Sequence, residues 1–334
     1  MTDIDIVELP YHRLYRAQPT YRWWRPLVAI LMTAVFFLGV SILVAIPVFV
    51  VVFATNAIDF LSPTATDDLT ALITPDMARP WTLVFGLGSI ILVLPLIPIA
   101  LKIAGIQPSG VRVNILHSVL FRLRWRWLGV SFIPAVVVWV VTFAAQLGIG
   151  VAAGQQLLPF STDVPTYLLS VLIVVLLVPI QAATEEYLYR GVLLQSVGAW
   201  VRFAPVTILV SAVLFGFSHA YDVWGILSVI AMGIGFAYAA IRTGGLEAGI
   251  ALHAVNNIVA FVVTGTGIFG PTGITEDTGG APALIAQIVT VVLWVLAVEW
   301  FARRNGIERL SRIGIPRVVP RTPADPGIPA PPAG

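Results

Sequence analysis

The chain has 334 residues, 58% of them hydrophobic and 11% charged, with a formal net charge of +2; a soluble domain carries about 25% charged residues, so that class is excluded. It holds no cysteine, which excludes disulfides, thiolate metal sites, a cysteine nucleophile and a lipidated-cysteine anchor. Apolar stretches of 18 or more residues recur, each long enough for a hydrocarbon core of about 30 Å, and the expected fold class is an all-α polytopic membrane protein.

Residues 1–26 read as a cytoplasmic N-terminal segment, with Trp23 and Trp24 at headgroup level before the first span. The apolar run that starts near Pro26 is almost thirty residues long, too long for the core of a cleaved signal, so it is read as a retained span. Eight spans are expected, at 27–54, 81–104, 128–150, 167–190, 205–219, 223–241, 244–264 and 283–301, within a transmembrane domain over 27–302. The fifth, of about fifteen residues, is the shortest. Very short connections near 220–222 and 242–243 make spans five to seven tight antiparallel neighbours.

Charge sets the orientation. With the N-terminus inside, strict alternation places every Lys and Arg except Arg79 on the cytoplasmic side. The outer loops then hold Asp59, Asp67, Asp68, Asp76, Asp163, Asp222, Glu276 and Asp277, and both termini are cytoplasmic. The basic and aromatic stretch Phe121–Trp127 lies beside a span, so it is read as an anchor on anionic headgroups and not as a nucleic-acid site. Residues 303–334 are basic and Pro-rich, irregular from about Gly314, and are expected to be a disordered cytoplasmic tail. No internal repeat is visible, against transporters built from duplicated halves. A Cys-free chain rich in Ala, Val and Arg points to a bacterial inner membrane.

The chemistry concentrates in spans four, five and seven. Glu185 and Glu186 follow a stretch without charge from Tyr167 to Ala183, although an acid at mid-membrane costs roughly 2.5–3.5 kcal/mol. His219 closes Phe215-Gly-Phe-Ser-His219, and His253 opens His253-Ala-Val-Asn-Asn257, whereas His12 and His117 lie in polar or interfacial segments and are given no role. Polar groups in lipid seek one another, so a single internal cluster is expected. Glu186 and Arg190, four apart with the acid first, make a neutralising pair. Glu185 points about 100° away and is left as the general base. His253 and Asn257 share a helix face and can donate to an oxyanion, with Asn256 a rival donor; Phe215, one turn before His219, is read mainly as packing. As drawn, His219 falls at the outer end of span five. It reaches Glu185 only if that span tilts or starts deeper.

The motifs E-E-x-x-x-R, F-x-x-x-H and H-x-x-x-N, in this order on late spans, resemble those of the CPBP family. That family comprises the CAAX prenyl proteases and the bacteriocin-processing (Abi) enzymes. The matching region runs from about 165 to 262, and Glu185, Glu186, Arg190, Phe215, His219, His253 and Asn257 all fit the motifs. The resemblance implies an eight-helix intramembrane endopeptidase in which Glu185 and His219 activate water and His253 and Asn257 bind the oxyanion. It also implies a cavity open to cytosol and lipid, and a membrane-associated protein or peptide as substrate. Glu185, His219 and His253 are in addition a set that could ligate zinc, so metallo-type and metal-free glutamate-type mechanisms both stay open. The rival readings are a non-hydrolytic immunity or scaffold protein and a proton-coupled transporter.

Overall fold

A chain this apolar satisfies its backbone hydrogen bonds inside helices, because a bilayer core offers no water in their place. The computed structural model, described for residues 4–18, 20–55, 58–60, 62–106, 115–273 and 279–316, is a helical assembly with one small sheet. In chain order come strand β1 (Ile4–Pro10), a 3₁₀ helix (Tyr11–Ala17), α1 (Arg25–Thr55), the short α2 (Ala65–Ile73), α3 (Pro80–Ile91) and α4 (Ile97–Ile103). They are followed by α5 (Trp125–Ala152), α6 (Val164–Glu186), a π-helical segment (Tyr187–Leu193) and α7 (Leu194–Trp200). The last elements are α8 (Ala204–Gly216), α9 (Val223–Thr243), α10 (Glu247–Thr264), α11 (Gly280–Arg304) and β2 (Leu310–Pro316).

Among the described residues, seven helical stretches are long and apolar enough to cross a membrane. The protein is thus an integral multi-pass membrane protein. The seven are α1, α3 continued into α4, α5, α6 continued into α7, α9, α10 and α11. The expected fifth span, 205–219, is instead the 13-residue α8. At ~1.5 Å per residue it is about 20 Å long, short of a full crossing. It stops where Gly216 packs against α9, since a Cβ there would lie 2.4 Å from Ile230 Cγ1.

Two further expectations need correcting. Span four does not end at Arg190 but runs on to Trp200, for 37 residues in all. A π turn carries the helix past the glutamates, and the extension packs against the 3₁₀ helix, where Arg13 Nη1 donates to the Gly198 carbonyl at 3.0 Å. Residues 303–316 are not disordered either. Helix α11 reaches Arg304, and β2 pairs antiparallel with β1, with Val7 opposite Ile313 and Glu8 opposite Arg312. Neither strand has a local partner, so this pairing across almost the whole chain leaves no local signal in sequence. The remaining tail from 317, and Arg112, Glu276 and Asp277, lie outside the described residues.

The helix ends define two faces. At the terminal face, Thr20 Oγ1 donates to the Gly105 carbonyl at 2.8 Å and Arg124 Nη1 to the Glu308 carbonyl at 3.2 Å. Here Tyr11, Leu14 and Tyr15 are fully buried in one apolar cluster with Leu101, Ile115 and Leu246. At the opposite, loop face, the Leu158 amide donates to the Ile268 carbonyl at 2.9 Å and the Ser161 amide to the Thr266 carbonyl at 3.0 Å. The Phe121–Trp127 segment divides between two tasks. Arg122, Trp125 and Arg126 are exposed, while Trp127 is buried and Arg124 turns inward to pair with the buried Glu247 at 2.6 Å.

Candidate active site

Three elements meet at one cavity of about 750 Å³: α6 brings Gln181 and Glu185, the end of α8 brings Phe215 and His219, and α10 brings His253 and Asn257. The expected single polar cluster is therefore present. Helix lengths explain how His219 reaches it. Trp200 lies fifteen residues, about 22 Å, beyond Glu185, and α8 climbs back about 20 Å. The extension of the preceding helix thus starts α8 far enough away to return its end to the level of Glu185. His219 lies beyond the last helical residue, in a turn closed by its amide donating to the Gly216 carbonyl at 3.1 Å.

Glu186 and Arg190 lie behind the cavity wall with fully buried side chains, joined at 3.0 Å. The same Glu186 Oε1 also accepts from His253 Nδ1 at 3.0 Å. The expected Glu186–Arg190 pair is thus present, and the neighbouring helix supplies Glu186 with a second partner. The Arg190 guanidinium lies 4.4 Å from the Phe215 ring centre and 5.0 Å from that of Phe236, and its Nη2 donates to the Gly233 carbonyl at 3.2 Å. Phe236 also stacks on His253, with ring centres 5.1 Å apart. Phe215 therefore packs, as expected, but against the charged groups themselves. Gly249 lets α10 approach, because a Cβ there would lie 2.9 Å from Glu186 Oε2.

Glu185 is different. Its side chain is 12% exposed and lines the cavity, and its Oε2 lies 3.2 Å from His253 Nε2. A ring with a carboxylate oxygen at each nitrogen serves both as a double donor. Two acids, Arg190 and that ring then balance in charge, which is how buried charges are tolerated. His219 Nδ1 lies 2.9 Å from the Phe215 carbonyl. A carbonyl only accepts, so Nδ1 carries the proton and Nε2 is left as a basic nitrogen.

The amides form a relay. Trp139 Nε1 donates to Asn256 Oδ1 at 3.4 Å, Asn256 Nδ2 to Asn257 Oδ1 at 3.2 Å, and Asn257 Nδ2 to Gln181 Oε1 at 3.3 Å. Asn256 thus orients Asn257, and both border the cavity. Gln181, Trp139 and Phe236 were not foreseen. Gln181 had a usable signal, being a polar residue in an apolar span one turn before Glu185. His117 Nδ1 meets the Tyr187 hydroxyl, outside the cavity.

The residues that could ligate zinc, Glu185, His219 and His253, all border the cavity but are not drawn together around one point. Among the described residues, no three His, Asp or Glu side chains gather as ligands, and each nitrogen of His253 faces a carboxylate. The cavity extends from Glu185 past Met232 and Phe261 to Pro75, Thr272 and Gly273 at the loop face, opposite the termini.

Residues 165–259 match the family model described as type II CAAX prenyl endopeptidase Rce1-like. The uncharacterized protein YyaK of Bacillus subtilis (strain 168) is 31% identical over 104 residues, covering 28% of this chain and 35% of YyaK. The chain thus aligns with about a third of that curated relative. No solved structure matches the chain.

Proposed function

We propose that this chain, whose residues 165–259 match the Rce1-like model, is an intramembrane endopeptidase that hydrolyses a peptide bond of a membrane-associated polypeptide with Glu185 as general base. The observation that carries this reading is the contrast between the two glutamates: Glu186 is fully buried behind the cavity wall and held by Arg190 and His253, while Glu185 is partly exposed and borders the cavity beside His253 Nε2.

In the proposed reaction a cavity water gives its proton to Glu185, assisted by the basic Nε2 of His219, as its oxygen attacks the peptide carbonyl. Protonated Glu185 no longer holds His253 by charge. His253 Nε2–H then turns to the oxyanion beside Asn257 Nδ2, whose position the amide relay fixes. Collapse breaks the C–N bond, and the leaving amine takes the proton back from Glu185. No covalent enzyme intermediate forms.

The reading is tested by reconstituting purified protein with a library of membrane-anchored peptides and identifying new termini by mass spectrometry. New termini generated by the native chain and lost in Glu185→Gln are the expected result. Termini that persist in Glu185→Gln, at equal protein level, would overturn it.

A further inference from the structure

We infer that the cavity receives its substrate from the outer, extracytoplasmic face of the membrane. This rests on the protease reading for what enters, and on the following geometry for the direction.

Two observations combine. The cavity runs from Glu185 to the loop face: Pro75, Phe269, Thr272 and Gly273 border it there, while Ser228 and Gln287 line its walls. No described residue of the terminal-face segments 11–25, 100–124 or 240–250 borders it. On that side the route is filled by Tyr11, Leu14, Ile115, Leu116 and Leu246, each at most 5% exposed, and by the buried Arg124–Glu247 pair. Charge then tells the faces apart. Outside the Glu186-bound Arg190, the described Lys and Arg residues belong to terminal-face segments and adjoining helix ends, Arg79 excepted. Arg79 is paired with Asp76 at 3.0 Å. Cytoplasmic loops collect basic residues, so the terminal face is the cytoplasmic one and the cavity faces away from it. This departs from the cytosol-open cavity that the family resemblance implies.

The substrate class narrows accordingly. Besides Glu185 and the two histidines, the described residues of the lining carry no charged side chain and offer amides and hydroxyls such as Gln181, Ser228 and Thr264. That suits an extended, uncharged stretch of a membrane-anchored polypeptide that emerges at the outer face.

The absence of cysteine makes a direct test available. Single substitutions Ser228→Cys and Gln287→Cys probe the cavity, and Arg122→Cys the exposed terminal face. Each is treated with a membrane-impermeant maleimide in right-side-out and in inside-out vesicles, with full labelling after denaturation as the measure of protein present. The cavity cysteines are expected to react in right-side-out vesicles and lose that reaction when inverted, with Arg122→Cys showing the reverse. Reaction of the cavity cysteines only in inside-out vesicles, equally in both, or in neither would overturn the inference. Labelling needs no turnover, so the same experiment on the Glu185→Gln background separates a failure of access from a failure of the protease reading.

Discussion

His253 donates through Nδ1 to Glu186 Oε1 at 3.0 Å, and that oxygen also holds Arg190 Nη1 at 3.0 Å. One carboxylate oxygen therefore ties the histidine of α10 to the arginine of the π segment. Breaking such a buried pair from one side leaves an uncompensated charge and costs about 3–5 kcal/mol. Arg190→Met should lower stability by about that amount, read by denaturant unfolding in detergent. Arg190→Lys should not restore it, because a lysine cannot keep both the fork and the stacking on Phe215 and Phe236.

Gly249 supplies a second prediction. A Cβ at this position would lie 2.9 Å from Glu186 Oε2 and 3.7 Å from Phe236 Cβ, so Gly249→Ala overpacks the back of the site. The expected loss of stability is about 1–3 kcal/mol. Thermal melting with unchanged stability would mean that α10 can shift away freely.

The amide relay predicts a graded effect on rate. Asn257→Ala removes an oxyanion donor and should lower kcat by about 10²–10³-fold, with KM little changed. Gln181→Ala leaves that donor in place but frees it, so its effect on kcat should be smaller. Steady-state kinetics on the reconstituted protein distinguishes the two.

A pH dependence follows from the terminal face. Burial, aided by the charge of Arg13, pushes the His12 imidazole below its ordinary value of 6.5. The unfolded chain then binds this proton at a higher pH than the folded one. Stability conferred by neutral His12 is present above 6.5 and declines as pH falls from there toward the folded value. Melting curves across this range should show a fall that His12→Gln makes shallower.

The parts of the site legible in sequence are those fixed by helical spacing. Glu186 with Arg190, and His253 with Asn257, are four apart, and a helix turns such pairs onto one face whatever surrounds it. What lay beyond reach depends on packing between distant segments. The π turn after Glu186 leaves no periodic signature, yet the helix it prolongs sets the level at which α8 begins and so brings His219 to Glu185. Likewise the contact of His253 with both glutamates depends on how closely Gly249 lets α10 approach. The pairing of Ile4–Pro10 with Leu310–Pro316 joins segments that no local pattern connects.

The division of labour between the paired glutamates is tested most directly by measuring stability and turnover together in Glu185→Gln and Glu186→Gln. Glu185→Gln should lose less stability than Glu186→Gln and lose turnover by about 10²-fold or more, as removal of a general base requires. Glu186→Gln should lose stability, since Arg190 and His253 are left without their carboxylate, and its folded fraction should keep measurable turnover. If Glu185→Gln instead loses stability as Glu186→Gln does, with activity in both simply following the amount of folded protein, Glu185 is a structural residue and the proposed mechanism is wrong.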